Sequence, residues 1–285
     1  MSDKHPFWNK LTKAIRDSVI DEELKKSSMQ ELFFKDSKFN FQERLAIVYE
    51  LFGLFPAWID KYFSGINDFK FSYVTNGNTD ALNLVMLEKR YNKIFLLPNE
   101  YMYYSQVASS LGMKQQYFTE ECFDLLDSDG IVCLSVPGFY DGDIESKQQI
   151  IDYCQDNNIP LFIDVAYCGL TDPGHIKIRK TENTFFAFSF SKTLGLAFNR
   201  VGLLYSGNQL GSLAVLNKIG YVNLSAVSAV IRLMKKIPCD YIYNTYKGQY
   251  KKICKEHNLK PVKCVLFALT EADEKFGLAE YYKLK

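Results

Sequence analysis

The stretch Ser189-Phe190-Ser191-Lys192-Thr193-Leu194-Gly195-Leu196-Ala197-Phe198-Asn199-Arg200 decides the fold of this chain. It follows the apolar run 184–188, which predicts a buried strand that leads directly into a polar loop carrying Lys192. A lysine amine that is partly desolvated and close to another cation has a lowered pKa, and it can form a Schiff base with an aldehyde. The strand end therefore predicts a nucleophilic lysine.

The polar neighbours of this lysine suit a phosphate group. Ser189, Ser191 and Arg200 are the donors that a phosphate monoester needs, and arginine can bind phosphate through two parallel hydrogen bonds. An aldehyde and a phosphate on one small molecule describe pyridoxal phosphate. For an isolated Ser-x-Ser-Lys, a strand end followed by a solvated turn is the better interpretation. The assignment of a cofactor site therefore depends on motifs elsewhere in the chain.

The composition is that of a globular protein with a sizeable core: 285 residues, 47% of them hydrophobic and 24% charged. A net charge of +1 gives no case for nucleic acid or an acidic membrane surface as a partner. Residues 1–10 hold no signal-peptide core, and the longest apolar run, 47–59, is broken by Glu50 and Pro56, so we expect no membrane span. Seven irregularly spaced cysteines argue against a disulfide framework and a zinc site, and favour a cytoplasmic protein without a metal.

Hydrophobic patterning divides the chain into three parts. We expect an N-terminal helical segment at 1–65, a cofactor-binding large domain at 66–237 and a reduced C-terminal small domain at 238–285. In the first part, apolar residues at helical spacing predict helices at 7–20 and 42–62.

Short apolar runs alternate with amphipathic stretches in the central part. The predicted strands are 69–74, 93–97, 131–136, 160–164, 185–188 and 201–205, and the predicted helices are 80–90, 104–111 and 147–156. This alternation predicts an α/β fold, a three-layer sandwich with a mostly parallel central sheet. After residue 211 we expect helical structure again, including one long helix at 225–236, and then a strand at 261–269 followed by a short helix.

Ligands of such sheets bind beyond the carboxyl ends of the strands, and three further motifs lie there. The first is the turn 74–82, in which Gly77, Asn78 and Thr79 open a helix. Free backbone N–H groups at the positive end of a helix can hold a phosphate. An ordinary N-cap is the alternative interpretation of this turn.

The other two motifs are aromatic and acidic. Tyr101 in the cluster 98–104 is the candidate to stack on a pyridine ring, although packing is the commoner role of such clusters. Asp164 ends a strongly apolar strand, where a buried carboxylate is costly unless it is paired. A protonated pyridine nitrogen is a suitable partner, and capping of the next helix is the alternative. Tyr167 can then hydrogen-bond the phenolate oxygen of the ring.

These four segments, in this order, resemble the fold-type-I pyridoxal-phosphate enzymes, and specifically the class I and II aminotransferase family. The resemblance covers roughly residues 70–232 and includes the spacing from Lys192 to Arg200. It implies that Lys192 forms the Schiff base, that Asp164 pairs with the ring nitrogen and that Tyr167 contacts the ring oxygen, which makes these the catalytic residues. It implies a cofactor site made of Gly77, Asn78, Thr79, Tyr101, Asp164, Tyr167, Ser189, Ser191, Lys192 and Arg200. The resemblance also implies a homodimer, with 221–225 close to the partner subunit's site.

Two departures from the family pattern bear on the reaction. Phe139 stands where the family usually has an asparagine that bonds the ring oxygen, and a phenyl group cannot donate that bond. The family also has a late arginine for the substrate carboxylate, whereas the last arginine here is Arg232, which we expect on a helix surface. His175 and Arg179 are weak alternatives for that role.

The sequence is therefore compatible with three functions. We favour an aminotransferase that acts on an amino acid or amine, with Lys192 moving the proton. A pyridoxal-phosphate decarboxylase, lyase, cyclase or oxidase of a specialised pathway is the main alternative, because the altered residues are those that orient the substrate. A non-catalytic relative is the third, and retention of Lys192, Asp164, Tyr167 and Arg200 together argues against it.

Overall fold

A seven-stranded sheet forms the centre of the computed structural model, which describes residues 14–26 and 40–282. Its strands are β2 (Phe71–Thr75), β3 (Lys93–Leu96), β4 (Lys114–Tyr117), β5 (Gly130–Ser135), β6 (Leu161–Asp164), β8 (Thr184–Ser189) and β9 (Gly202–Ser206). They are ordered β2-β9-β8-β6-β5-β3-β4, and only β9 runs antiparallel to its neighbours. The predicted mostly parallel α/β sheet is confirmed.

Helices cover both faces of this sheet. The described helices are α1 (Ser18–Lys26), α2 (Phe41–Trp58), α3 (Asn78–Lys89), α4 (Met102–Ser110), α5 (Lys147–Asp156), α6 (Phe190–Thr193), α7 (Gly211–Lys218), α8 (Leu224–Lys236) and α9 (Tyr241–Glu256). Along β8, Phe185 and Ala187 pack with α3, α4 and α7, whereas Phe186 and Phe188 pack with α2, α5 and α8. Every residue of β8 is buried because both faces of the strand are covered, which explains its continuous apolar sequence.

The predicted central elements agree with the structure to within two residues at each end. The prediction omits β4, an edge strand paired with β3, because its sequence Lys-Gln-Gln-Tyr has no apolar alternation. It also omits α9 as a separate helix and the two-residue strand β7 (Ile176–Lys177), which pairs with β1 (Phe63–Ser64). Strands β4 and β7 are too short to show the periodicity from which strands are recognised, whereas α9 has buried residues at helical spacing that the prediction did not use.

The N-terminal helices differ from the prediction. Residues 1–13 lie outside the described part of the chain, and residues 14–17 are not helical. The helix begins at Ser18 because the Asp17 carboxylate accepts hydrogen bonds from the N–H groups of Val19 and Ile20, at 3.0 and 3.2 Å. The second predicted helix ends earlier than expected, at Trp58, since residues 63–64 enter strand β1.

The end of the described chain is a hairpin rather than a long strand and a helix. Strand β10 (Phe267–Leu269) is short, and residues predicted to be helical form β11 (Lys275–Gly277), which pairs antiparallel with β10. The chain reverses because the Thr270 N–H donates to the Glu274 carbonyl at 2.9 Å, with Asp273 in a left-handed conformation at φ 59°. The N–H of Val265 donates to the Leu170 carbonyl, so the hairpin packs against the loop that follows β6.

No helix in the ranges 14–26 and 40–282 combines the length and the apolar character that a membrane crossing needs.

We expect Phe55→Ala to lower the free energy of unfolding by about 3–5 kcal/mol, because a large buried ring leaves a cavity. Phe55 on α2 is fully buried, with ring centroids 4.9 Å from Phe188 and 5.7 Å from Tyr205. Urea unfolding followed by circular dichroism measures the change. Tyr49→Ala on the same helix is the control, since Tyr49 is 64% exposed and its removal should change stability by less than about 0.5 kcal/mol. Equal effects of the two changes would contradict this packing.

Candidate functional site

A cavity of about 710 Å³ lies at the carboxyl ends of β3, β5, β6 and β8. Its walls bring together nine of the sequence-predicted site residues, Asn78, Thr79, Tyr101, Asp164, Tyr167, Ser189, Ser191, Lys192 and Arg200. Residues that the sequence prediction did not single out also line it, notably Glu100, Ser135, Glu274 and Lys275. The cavity lies where loops of a parallel sheet commonly bind ligands.

Strand β8 and the short helix α6 hold Lys192 in this cavity. Ser189 ends the buried strand and caps α6, because its hydroxyl accepts the N–H of Ser191 at 3.3 Å. Burial lowers the pKa of Lys192 to about 8, a shift that the nearby Cys264 opposes. Among the described residues none hydrogen-bonds Nζ of Lys192. A substantial fraction of the amine is therefore neutral near physiological pH and able to act as a nucleophile or base.

One end of the cavity is shaped for an anion. Arg200 Nη2 donates to the Asn76 carbonyl at 2.6 Å, and Nη1 donates to the Ala197 carbonyl at 3.2 Å. Gly77 precedes α3 with φ 97°, and a Cβ there would lie 3.1 Å from Arg200 Nη2 and 3.3 Å from Ser189 Oγ. The space beside Gly77 therefore fits a phosphate. It is bordered by a guanidinium, two serine hydroxyls and the first N–H groups of a twelve-residue helix, and the glycine has no side chain to fill it.

The Asp164 carboxylate lies on another wall, at the end of β6, and is 7% exposed. Its Oδ1 accepts from Asn78 Nδ2 at 2.5 Å and from the Ala166 N–H at 2.9 Å, while Oδ2 accepts from the Tyr104 hydroxyl at 3.0 Å. Desolvation raises the pKa of Asp164, and these hydrogen bonds oppose the rise. The side chain of Asn78 is thus directed to Asp164, whereas the sequence prediction for this turn concerns its backbone N–H groups.

A second, half-buried carboxylate extends this network, and the sequence prediction missed it. Glu100 Oε1 accepts from the Ser135 N–H at 3.0 Å, and Oε2 accepts from the Ser135 hydroxyl at 2.6 Å. That hydroxyl lies 3.2 Å from the hydroxyl of Tyr104, which donates to Asp164. Desolvation raises the pKa of Glu100. An acidic residue just beyond a predicted buried strand is the signal that identified Asp164, and it applies equally to Glu100.

Aromatic rings form the wall between these polar groups. The Tyr101 and Phe139 ring centroids lie 5.3 Å apart, and Phe139 is in turn 6.0 Å from Tyr167, with the latter two rings stacked. Phe139, the departure from the family pattern, thus joins the two predicted ring-contacting tyrosines into one apolar surface. A flat heterocycle fits against such a surface.

Lys275 of β11 reaches the same surface, and the sequence prediction did not include it. Its Nζ donates to the Phe139 carbonyl at 2.6 Å and to the Tyr167 hydroxyl at 3.1 Å. Burial, with a smaller contribution from the charge of Lys192, lowers the pKa of Lys275 to about 7. No sequence signal near residue 275 identifies it, because only the hairpin brings it to the cavity.

His175 and Arg179, the weak candidates for carboxylate binding, lie outside the residues that line the cavity, and so does Arg232, whose Nε and Nη2 atoms are buried rather than at the helix surface that the sequence predicts. His175 Nε2 is 3.0 Å from the Ser64 hydroxyl, Arg179 pairs with Asp156 at 2.6 Å, and Arg232 belongs to α8.

Comparisons with known proteins agree with this description. Residues 140–250 match the model of the family "Aminotransferase class I and II". The structure resembles an aspartate aminotransferase from Thermotoga maritima, with 17% identity and a TM-score of 0.67, over 92% of this chain and 77% of that chain. It also resembles the PLP-bound C-S lyase from Staphylococcus hominis, with 14% identity and a TM-score of 0.60, over 77% of this chain and 66% of that one.

A third similar structure is the L-threonine-O-3-phosphate decarboxylase from Porphyromonas gingivalis, with 16% identity and a TM-score of 0.57, over 69% of this chain. The chain spans just under two thirds of the decarboxylase and of the lyase, 65% and 66%. No match was found among curated proteins. The predicted resemblance is confirmed: residues 140–250 match the class I and II aminotransferase family, and the similar solved structures share the fold of this chain.

The pKa of Lys192 gives a testable pH dependence. We expect acylation of Lys192 by acetic anhydride to reach half its maximal rate near pH 8, because only the neutral amine reacts and its pKa is lowered to about 8. Peptide mapping by mass spectrometry after brief labelling measures this rate, with the exposed Lys251 as the internal reference. A half-maximal pH close to that of an ordinary lysine, about 10.4, would contradict the buried environment.

Proposed function

We propose that this protein binds pyridoxal phosphate covalently through Lys192 and acts as an aminotransferase on an amino acid or amine. The observation that carries the proposal is that Lys192, the buried Asp164 and the anion-shaped end at Arg200 line one cavity. The family match supports the cofactor, and the similar structures include a PLP-bound C-S lyase and a PLP-bound protein described as an aminotransferase.

Each wall of the cavity fits one part of this cofactor. Arg200, Ser189 and the N-terminus of α3 beside Gly77 would hold the phosphate, since they present cationic and N–H donors around an open space. Asp164 would pair with the pyridine nitrogen, because a buried carboxylate with three hydrogen bonds already formed still carries a charge that needs a cation. Tyr101 would stack on the ring.

When bound, pyridoxal phosphate supplies an electron sink for the electron pair that remains when a bond at the amine-bearing carbon breaks. Lys192 would take and return the proton at its Nζ after the substrate amine has displaced it. A base is most effective when its pKa lies close to the operating pH, and the pKa of Lys192 is lowered to about 8. Asp164 would keep a proton on the ring nitrogen, and the apolar surface of Phe139 and Tyr167 would limit access of water.

Reduction with borohydride tests the covalent link to Lys192. We expect the protein with pyridoxal phosphate to show a visible absorption band that borohydride removes, and the peptide containing Lys192 to gain the mass of the reduced cofactor. Lys192→Ala should lose both signals, whereas Lys251→Ala at the exposed surface should keep them. A wild-type protein that stays colourless with added cofactor would refute the proposal.

The reaction itself needs a product assay. Aminotransfer requires a keto acid as amino acceptor and yields a new keto acid without release of ammonia or carbon dioxide. Release of ammonia or carbon dioxide in the absence of an acceptor would instead indicate a lyase or a decarboxylase, and two of the similar structures are enzymes of these kinds. Both assays use the same amino acid panel, so each result identifies one reaction class.

We also propose that the protein is a homodimer. An exposed apolar patch supports this: Phe198 is 99% exposed, Tyr221 64% and Val215 62%. Asn223 Nδ2 donates to the Asn199 carbonyl at 2.7 Å, which links the loop carrying Phe198 to the segment carrying Tyr221. Exposed apolar patches mark protein interfaces, and Phe198 lies between Lys192 and the anion-binding Arg200 in sequence.

We expect Phe198→Asp to convert a dimer into monomers and to weaken cofactor binding, because a buried unpaired carboxylate at an interface is costly. Sedimentation velocity at several protein concentrations measures the oligomeric state. Tyr117→Asp is the matched control, since Tyr117 is 56% exposed on the edge strand β4 and should leave the dimer intact. A monomeric wild-type protein would refute the homodimer.

A further inference from the structure

Lys275 is a cation of the cavity to which the proposed function gives no role. It projects from β11 into the cavity, and its Nζ is held by the Phe139 carbonyl at 2.6 Å and the Tyr167 hydroxyl at 3.1 Å. Three aromatic rings surround the ammonium group. Its distances to the ring centroids are 3.5 Å for Phe139, 3.7 Å for Phe267 and 4.8 Å for Tyr167.

The charge of Lys275 is not neutralised within the described part of the chain. Nearby lysines have carboxylate partners: Lys260 pairs with Asp273 at 2.6 Å, and Lys263 pairs with Asp143. No ion pair is formed by Lys275 among the described residues. An ammonium group has three donors, and the two hydrogen bonds described use two of them. The third donor and the net charge are available to a ligand in the cavity.

The surroundings explain why an anion would be favoured there. A partly buried cation that lacks a counter-ion is disfavoured, and burial accordingly lowers the pKa of Lys275 to about 7. Aromatic faces recover part of the lost hydration by cation–π attraction, but they do not neutralise the charge. An anionic group placed against Lys275 would be weakly screened, because the neighbouring wall is made of Phe139 and Phe267.

The other two cations of the cavity have different tasks. Lys192 would carry the cofactor, and Arg200 belongs to the phosphate end, where it contacts the carbonyls of Asn76 and Ala197. Lys275 contacts Phe139 and Tyr167 and shares no hydrogen-bond partner with Arg200. The cavity therefore has a second cationic end, at the ring surface rather than at the phosphate end.

We propose that Lys275 is the substrate-binding residue that receives a carboxylate group of the substrate, which makes an amino acid rather than a simple amine the substrate class. This inference rests on the proposed cofactor site, since the substrate amine is anchored there while the carboxylate is held by Lys275. The contact with the Tyr167 hydroxyl would orient the carboxylate relative to the ring.

Two small carbonyl reagents separate carboxylate recognition from every other feature of a substrate. Aminooxyacetate and methoxyamine would both form an oxime at the cofactor carbon linked to Lys192 and release the Lys192 amine; neither carries a large side chain, and they differ by a carboxylate. The loss of the visible absorption band of the cofactor-loaded protein gives the rate constant of each reagent. We expect the wild-type protein to react faster with aminooxyacetate than with methoxyamine, because Lys275 attracts only the former.

Variants of Lys275 then test the assignment. In Lys275→Met the ratio of the two rate constants should fall at least about tenfold, since a buried hydrogen-bonded charge pair is lost. Lys275→Arg should retain most of the ratio because it retains the charge. Lys260→Met in the same hairpin segment is the control, because Lys260 is directed to Asp273 and not to the cavity.

The outcomes distinguish this inference from the proposed function. An unchanged ratio in Lys275→Met, with its absorption band intact, would overturn the role of Lys275 while the cofactor site stands. A wild-type protein without preference for aminooxyacetate would overturn it as well, even if the methionine variant does not fold. A colourless wild-type protein would refute the cofactor site, and the carboxylate role with it.

Discussion

The buried carboxylate of Asp164 is the constraint on which the rest of the site depends. A charged group at the end of an apolar strand has to be compensated, and three hydrogen bonds from different elements do so. Asn78 belongs to α3, Tyr104 to α4 and Ala166 to the loop after β6. The carboxylate thereby fixes two helices relative to the sheet, and both helices contribute walls to the cavity. Any loss of this group would loosen the wall that faces Lys192 as well as remove a charge.

The reactive side chains lie at the carboxyl ends of the parallel strands, and the C-terminal hairpin contributes one more, Lys275. Strand β8 delivers Lys192, and β6 delivers Asp164. The hairpin of β10 and β11 contributes from outside the sheet, where the Val265 N–H donates to the Leu170 carbonyl. Through this packing Lys275 reaches the ring surface. Burial lowers the pKa of Lys275 and the charge of Lys192 adds to that shift, whereas an anion bound beside Lys275 would favour its protonated form.

Sequence patterning predicted the sheet well where strands are buried and poorly where they are exposed. Strand β8 was predicted because both of its faces are apolar, whereas β4 has no alternating pattern and was missed. The helix predicted at 7–20 was wrong over residues 14–17, because the Asp17 side chain caps a helix that starts later. Propensity alone does not distinguish a capped start from a continuing helix. The predicted final strand is confirmed only over residues 267–269, and the helix after it was wrong because a turn at Asp273 folds the segment back into β11.

The sequence by itself determined the fold class and the segment that carries Lys192 and Arg200, because both depend on local patterns: buried strands, the residues that follow them and their spacing. Only the tertiary structure decided which distant side chains share the cavity. Glu100 joins Asp164 through Ser135 and Tyr104, and no sequence spacing specifies such a chain of hydrogen bonds. Lys275 lies over 80 residues from Lys192 in sequence and lines the same cavity with it. Contacts of this kind arise from packing of separate elements, and packing depends on the whole chain at once.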